Sequence, residues 1–396
     1  MKEIIVCQDE KKDRKAYLME DNILVEQYYE NCEKGRIEGN IYVGIIQKIL
    51  PGLQAAFVDI GKKRNVFLHI KDLLPKQSNE TGNKNENFKE IDIKDYIKVG
   101  KKILVQIKKD ECQGKSAKAT THIKLSGRFT VLIPNVNFTT ISSKIEDEKE
   151  IKRLKQIIKD NKKEDIGVII RTSAISKQKD EIIQDMQNLN NIWSKIYIKF
   201  KEIEFNRDTK PNLVYRNYDI TKKLILDVMD KDLSKITVNS GALYHEILDF
   251  IKEYNIRDID IELNENIPAS GINNILKQAQ KATERKIWLK CGGFITIDKT
   301  EALTAIDVNS GKYIGNDLKN AFIDVNKQAT LEIAKQVRLR DIGGIIIVDY
   351  IEMNEESQKE IIDIWNKCLK LDRAKVQIIG FTPLNLLEIT RKHMWS

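Results

Sequence analysis

The sequence predicts a multidomain protein of mixed class, part β and part α/β, with a small barrel of OB type inside it. Three observations carry this expectation. The 396 residues are enough for roughly two to four domains with substantial cores. Between residues 41 and 107 short apolar runs alternate with turn signals, as in a small barrel. The last third runs strand, long helix, strand, which is the order of a crossover unit within a sheet.

The elements follow in order. Glu3–Cys7 reads as a strand, and the runs starting at Ala16 and Ile23 read as a hairpin around Asp21-Asn22. Ile41–Leu50 stops at Pro51-Gly52, a strong turn pair. Leu53–Ile60 and Asn65–Ile70 flank the basic tip Lys62-Lys63-Arg64, and Lys102–Ile107 completes the barrel run. Lys76–Glu90 is polar and reads as a mobile loop. Phe129–Pro134 is an apolar run, Glu146–Asn161 a charged helix, and Gly167–Ile170 a strand leading into Arg171-Thr172. From Asp180 to Phe200 the apolar spacing at Ile183, Met186, Leu189, Ile192 and Trp193 is helical. Residues 213–261 alternate strand-like and helical pieces, and Ile272–Lys286 reads as one basic helix. Strands are expected at Gly293–Asp298, Ala302–Asn309 and Ile345–Asp349, the last two joined by a helix from Asp317 to Arg340.

Composition narrows the function. Net charge is +8, and residues 40–121 hold roughly sixteen basic against nine acidic residues, so nearly all the surplus falls in the barrel. That suits a polyanionic partner. Lys108, Lys109 and Lys115 could contact phosphates, or form a solvated rim. The N-terminus is too short and charged for a signal peptide, and no apolar run has the length of a membrane span. The five cysteines are scattered without a C-x-x-C pair, which favours reduced thiols in a cytoplasm and argues against a zinc ribbon. The four histidines show no ligand spacing. With no Walker loop, G-x-G-x-x-G or Ser-His-Asp set, phosphoanhydride and acyl-transfer chemistry have no support.

Three motifs could carry chemistry. Asp307 and Asn309 are two apart on a strand and face the same way, and Asp349 closes an Ile/Val run that reads as a buried strand. If the strands are neighbours, two carboxylates and an amide oxygen meet in a hard-oxygen site for Mg2+ or Mn2+. The alternative is a turn at Asn309-Ser310-Gly311 and a helix cap at Asp349. Burial would favour the metal, because an unpaired buried carboxylate is costly. Phe57 and Phe67 could stack single-stranded bases, although the pattern alone favours packing in the barrel core. Arg171-Thr172 at a strand end could grip a phosphate bidentately, with backbone donors added near Gly127, or could be ordinary surface residues.

Taken in order, these motifs closely resemble the ribonuclease E/G family over essentially the whole chain. The most specific are Ala305-Ile-Asp-Val-Asn-Ser-Gly-Lys312 and Leu339-Arg-Asp-Ile-Gly-Gly-Ile-Ile-Ile-Val-Asp-Tyr-Ile-Glu-Met353. Gly39-Asn-Ile-Tyr-Val-Gly44 and Ile170-Arg171-Thr172 support them, and the form of the first motif looks like the ribonuclease G branch. The resemblance implies a split RNase H-like domain (residues 1–38 and 217–281) with an S1 barrel (39–121) and a 5′-sensor domain (122–216) inserted. A DNase I-like catalytic domain (282–396) follows.

It also implies a Mg2+-dependent endoribonuclease for single-stranded RNA, acting in rRNA maturation and mRNA turnover. Such an enzyme is stimulated by a 5′-monophosphate and leaves 5′-phosphate and 3′-hydroxyl ends. Carried over, Asp307 and Asp349 match the metal ligands, and Asn309 matches the asparagine that orients the site. Phe57, Phe67, Lys109 and Lys115 match RNA contacts of the S1 barrel. Gly127, Val131, Arg171 and Thr172 match the 5′-phosphate pocket. A family arginine near the site falls on Lys375, which keeps the charge and loses the fork geometry. The family's dimer or tetramer shares zinc through a C-P-x-C-x-G motif that is not found before Ser396, so zinc is not expected from this chain. The competing readings are an RNA-binding protein without catalysis and a metal-dependent nuclease acting on DNA.

Overall fold

The computed structural model describes residues 1–31, 36–73, 92–111, 115–142, 145–206, 210–229, 233–254, 256, 259–268, 273–311 and 318–394. The predicted loop at Lys76–Glu90 and the motif residue Lys312 lie outside them. The chain divides into two compact units, Lys34–Asp230 and the flanking Met1–Glu33 with Lys231–Ser396.

The first segment holds β1 (Lys2–Gln8), β2 (Arg14–Glu20) and β3 (Ile23–Glu30). Asp21 and Asn22 both take positive φ, 49° and 64°, so the expected hairpin forms with a two-residue turn that matches strand twist.

The inserted unit begins with β4 (Ile41–Leu50), β5 (Ala55–Asp59), β6 (Val66–His69), β7 (Lys102–Lys109) and β8 (Lys118–Thr120). Among the described residues they pair in the order β4–β5–β6–β8–β7, and β7 pairs back onto β4. This closed ring is the OB-like barrel, and closure leaves no unpaired edge. Its core contains Tyr42, Ile46, Val58, Leu68, Val105 and Ala119. Next come β9 (Leu125–Ser126), β10 (Thr130–Pro134), β11 (Thr139–Ile141), α1 (Glu148–Asn161), β12 (Ile166–Ile170), α2 (Lys179–Phe205), β13 (Asn212–Tyr215) and α3 (Ile220–Val228). Strands β11, β12, β10 and β9 form one sheet, and α2 packs on it through Ile182, Met186 and Leu189.

The outer unit resumes with β14 (Leu233–Val238), α4 (Gly241–Glu253), β15 (Asp260–Leu263) and α5 (Asn273–Lys281). Strands β14 and β15 extend the first hairpin sheet in the order β15–β14–β1–β2–β3. The single helix expected over Ile272–Lys286 is not what forms. α5 ends at Lys281, and Lys286 opens β16 (Lys286–Trp288), because this short run pairs with β17 (Phe294–Lys299) through Ile287 and Ile295. Then come β18 (Leu303–Asn309), α6 (Leu318–Leu339), β19 (Gly344–Asp349), α7 (Glu355–Leu369), β20 (Val376–Phe381) and β21 (Leu386–Arg391).

These last strands form one sheet in the order β16–β17–β18–β19–β21–β20. α6 is the predicted crossover, and β18 and β19 are parallel. One face packs on α6 and α7 through Ile306, Val308, Ile346, Val348, Val325 and Trp365. The other face is open: Ile345 is 48% exposed and Ile379 is 55% exposed. The expectation that the Ile/Val run ending at Asp349 is a buried strand is therefore corrected. Its burial alternates because helices cover only one side.

Candidate active site and nucleic-acid interface

Asp307 and Asp349 are register partners across the parallel pair β18 and β19. Strand spacing puts their backbones about 5 Å apart, and both side chains point to the open face. Asn309 Nδ2 donates to Asp307 Oδ2 at 2.5 Å. The turn after Asn309 depends on Gly311, whose φ is +60° and whose Cβ would fall 2.3 Å from the Gly292 carbonyl oxygen. Asp349 does not cap α7; Asn354 does, accepting from Ser357 N–H. Both aspartates are exposed, which removes the burial argument for a cation. Like charges placed directly across a strand pair supply a different one, because they repel until a counter-charge lies between them.

Two buried polar groups hold the chain behind Asp349. Asn326 of α6 donates to the Ile351 carbonyl at 2.8 Å and accepts from its N–H at 3.2 Å. The Tyr350 hydroxyl is bonded to Thr330 Oγ1 at 2.8 Å and accepts from Trp365 Nε1 at 3.0 Å. Burial pushes the Tyr350 phenol well above its ordinary range. Sequence reasoning missed these residues. The available signal was Asn326 and Thr330 lying inside the apolar stripe of Val325, Ala329 and Ile333.

The donor set is all oxygen, which fits a hard divalent cation. Among the described residues no group of three or more His, Cys, Asp or Glu side chains gathers into a metal cage. Two carboxylates with the rest of the shell open is how Mg2+ is commonly held beside phosphate substrates. Lys375 is not brought to this pair. Gly344 pairs with Arg391, and Arg391 with Val376, so Lys375 lies beyond the opposite end of the sheet. That is at least about 17 Å along the strand from Asp349.

On the barrel, Phe57 and Phe67 are register partners with ring centroids 5.9 Å apart in an edge-on arrangement. They are half-buried and point outward, while Ala56, Val58, Val66 and Leu68 fill the core. Packing in the core, the reading that pattern alone favoured, is corrected. The alternation of small or aliphatic residues with phenylalanine sends the rings to the other side. The same row continues through exposed lysines: Lys48 pairs with Phe57, Lys118 with Phe67, and Lys109 with Lys118. Lys115 is exposed just before β8, whereas Lys108 is tied to Asp72 at 2.7 Å. Lys48 and Lys118 were not singled out from sequence, because their place beside the rings depends on strand register.

In the sheet of β9 to β12, Arg171 follows β12 and donates through Nη1 to the Gly127 carbonyl at 2.7 Å. Its Nη2 donates to Asp227 of α3. Thr172 opens the turn that follows, and Val131 lies half-buried on β10 opposite Ser126 and Ile169. The structure thus brings Gly127 and Arg171 together, but Gly127 offers its carbonyl rather than free donors. Gly127 N–H is bonded to Thr130 O. The N–H groups of Arg128, Phe129 and Thr130 all go to the Asp185 carboxylate, at 2.8, 3.0 and 2.9 Å. A Cβ on Gly127 would sit 2.5 Å from that carboxylate, so the turn requires glycine. Burial raises the Asp185 carboxyl against the pull of these donors. Its signal in sequence was a carboxylate three residues after Ile182 on the apolar face of a helix.

The parts described define a mixed α/β multidomain protein that contains an OB-like barrel and, in its other unit, a carboxylate pair on an open sheet. The model of the Ribonuclease E/G family matches residues 124–394. Ribonuclease G of Salmonella typhimurium is 35% identical over 398 residues, covering 98% of this chain and 79% of that protein. Ribonuclease G of Haemophilus influenzae is 33% identical over 95% of this chain and 76% of its own length. Ribonuclease E of a Nostoc species is 32% identical over 89% of this chain and 51% of its own length. The chain belongs to the ribonuclease E/G family.

Proposed function

We propose that this chain cuts single-stranded RNA at the open face of its last sheet, with Asp307 and Asp349 as metal ligands. As a member of its family the chain is an endoribonuclease acting in RNA processing. The observation that carries the finer reading is the register pairing of the two aspartates on an exposed surface. Mg2+ bound there would supply water activation and charge neutralisation at the scissile phosphate. Asn309 holds Asp307 in one orientation through the hydrogen bond that its Nδ2 donates. Water attack then leaves 5′-phosphate and 3′-hydroxyl ends.

The barrel row of Phe57 and Phe67 between Lys48, Lys118 and Lys109 supports single-strand binding, by stacking of bases and pairing with phosphates. Gly127, Val131, Arg171 and Thr172 form the proposed 5′-monophosphate sensor, in which the partly engaged Arg171 offers its remaining donors. In domain terms we assign residues 1–38 and 217–281 to a split RNase H-like part, 39–121 to the S1 barrel and 122–216 to the sensor. Residues 282–396 are the DNase I-like catalytic part. A cytoplasmic setting and a dimeric or tetrameric assembly belong to the same reading. Among the described residues no helix is long and apolar enough to cross a membrane.

The test uses one A/U-rich sequence made as 5′-monophosphorylated RNA, 5′-triphosphorylated RNA and DNA. Each is incubated with Mg2+ and with wild type or Asp349→Asn. Faster cutting of the monophosphorylated RNA, lost in Asp349→Asn, is expected. Equal cutting of RNA and DNA would defeat the ribonuclease assignment. Binding without cutting by wild type would leave only an RNA-binding protein.

A further inference from the structure

The open face of the last sheet carries a second feature, beside the aspartate pair. Trp288 pairs with Phe294 across β16 and β17, and Phe294 pairs with Asn309 across β17 and β18. The pleat therefore puts these three side chains on one face in one row. The two ring centroids are 5.2 Å apart, at an interplanar angle of 58°. Lys286 stands in the adjoining row, which runs through Thr296 and Asp307 to Asp349. Its Nζ lies 3.6 Å from the Phe294 centroid and 4.3 Å from the Trp288 centroid. Trp288 is 57% exposed. The sheet's core is on the other face, so this indole lies outside it.

We infer that Lys286, Trp288 and Phe294 form a nucleobase subsite that holds a base of the RNA next to the bond cut at Asp307 and Asp349. The inference rests on the proposed function. The occupant is a nucleobase because two aromatic faces with a cation over them match the stacking and charge of a nucleotide. Strand β16 is two strand spacings, about 10 Å, from β18, within reach of a neighbouring nucleotide. On binding, the base takes the place of the Lys286 amine over the rings, and the amine turns to the adjoining phosphate. The subsite is sequence-tolerant, because every base has a π face. It fixes the strand's position over the carboxylates rather than reading its letters.

The test compares wild type, Trp288→Ala, Trp288→Phe and Asp349→Asn on one RNA and on copies with a single abasic residue at each position around the cut. Trp288→Ala should lower kcat/KM roughly 10- to 100-fold, and Trp288→Phe should keep most of the efficiency. In wild type one abasic position should reproduce that loss. In Trp288→Ala the same abasic residue should add nothing, because both changes remove one interaction. Full efficiency in Trp288→Ala, or losses that add at every abasic position, would overturn the subsite. Cutting that survives Asp349→Asn would instead defeat the proposed function beneath it. The wild-type abasic series reads the subsite even where the alanine variant folds poorly.

Discussion

Asp307 and Asp349 stand directly opposite each other on adjacent parallel strands, with both carboxylates in solvent. The sheet tolerates two negative charges at its closest spacing, and Asn309 donates to only one of them. Repulsion between the pair, rather than burial, is what a divalent cation would relieve. A cation held by two carboxylates would keep open positions for a phosphate and a water.

That relationship separates two kinds of variant. Asp307→Asn and Asp349→Asn should each slow single-turnover cleavage by about 100-fold or more, since each removes charge from the reacting centre. Neither should lower the melting temperature, because the repulsion goes with it. Asn309→Ala should lose about 10- to 100-fold, as expected for a group that orients a ligand. Higher Mg2+ should recover part of that loss, but none of the loss in the aspartate variants. Full-rate cutting by either aspartate variant would remove the pair from the mechanism.

The barrel phenylalanines make a second test. Phe57→Ala and Phe67→Ala should each weaken binding of a single-stranded oligonucleotide by roughly 5- to 100-fold. Stability should fall little, because both rings lie outside the core. Leu68→Ala, beside them but inside the barrel, should cost about 2–5 kcal/mol on unfolding. Fluorescence anisotropy and denaturant titration read the two effects separately. Large destabilisation by Phe57→Ala would restore the core-packing explanation.

The strand–helix–strand order around Asp307 and Asp349 was legible because apolar runs and a long amphipathic helix are local signals. So were the barrel strands and the Asp21-Asn22 turn. What failed depended on partners distant in sequence. Lys286 was expected at the end of a basic helix, yet pairing with β17 draws it into a strand. Lys375 was expected near the site, yet the β19–β21–β20 register carries it to the far end. Asp185 and Asn326 went unread although each interrupts an apolar helix face, where a polar residue must find partners.

Arg171 has two engagements before any phosphate arrives, the Gly127 carbonyl and Asp227. Its planar fork allows a third, which a lysine cannot match. Arg171→Lys should therefore keep the fold and bring the rates on 5′-monophosphorylated and 5′-triphosphorylated RNA close to one another. The rate on RNA with a 5′-hydroxyl should not change. An undiminished preference for the monophosphate in Arg171→Lys would take the sensor away from this residue.

Glu26 ties β3 to α6 and to the loop before β20, and this junction is sensitive to acid. Its carboxylate is almost fully buried, pairs with Arg338 at 2.8 Å and with Arg373, and accepts from the Tyr28 hydroxyl at 2.6 Å. Burial pushes the carboxyl up, but Arg373, Arg338 and Tyr28 outweigh it and hold it down at about 2, against an ordinary 4.5. A depressed carboxyl stabilises the fold above the unfolded value and loses that contribution as the pH falls through the folded one. The window here is from about 4.5 down to about 2, and a shift of this size corresponds to about 3 kcal/mol. Glu26→Gln removes the counter-charge that Arg373 and Arg338 share, while Arg338 keeps Glu20 at 2.9 Å, and should cost about 3–5 kcal/mol near neutral pH. In denaturant titrations the gap between wild type and Glu26→Gln should stay constant down to about pH 4.5 and then narrow. A gap that widens on acidification would show that Glu26 folds as the neutral acid, and the ion-pair account of this junction would fall.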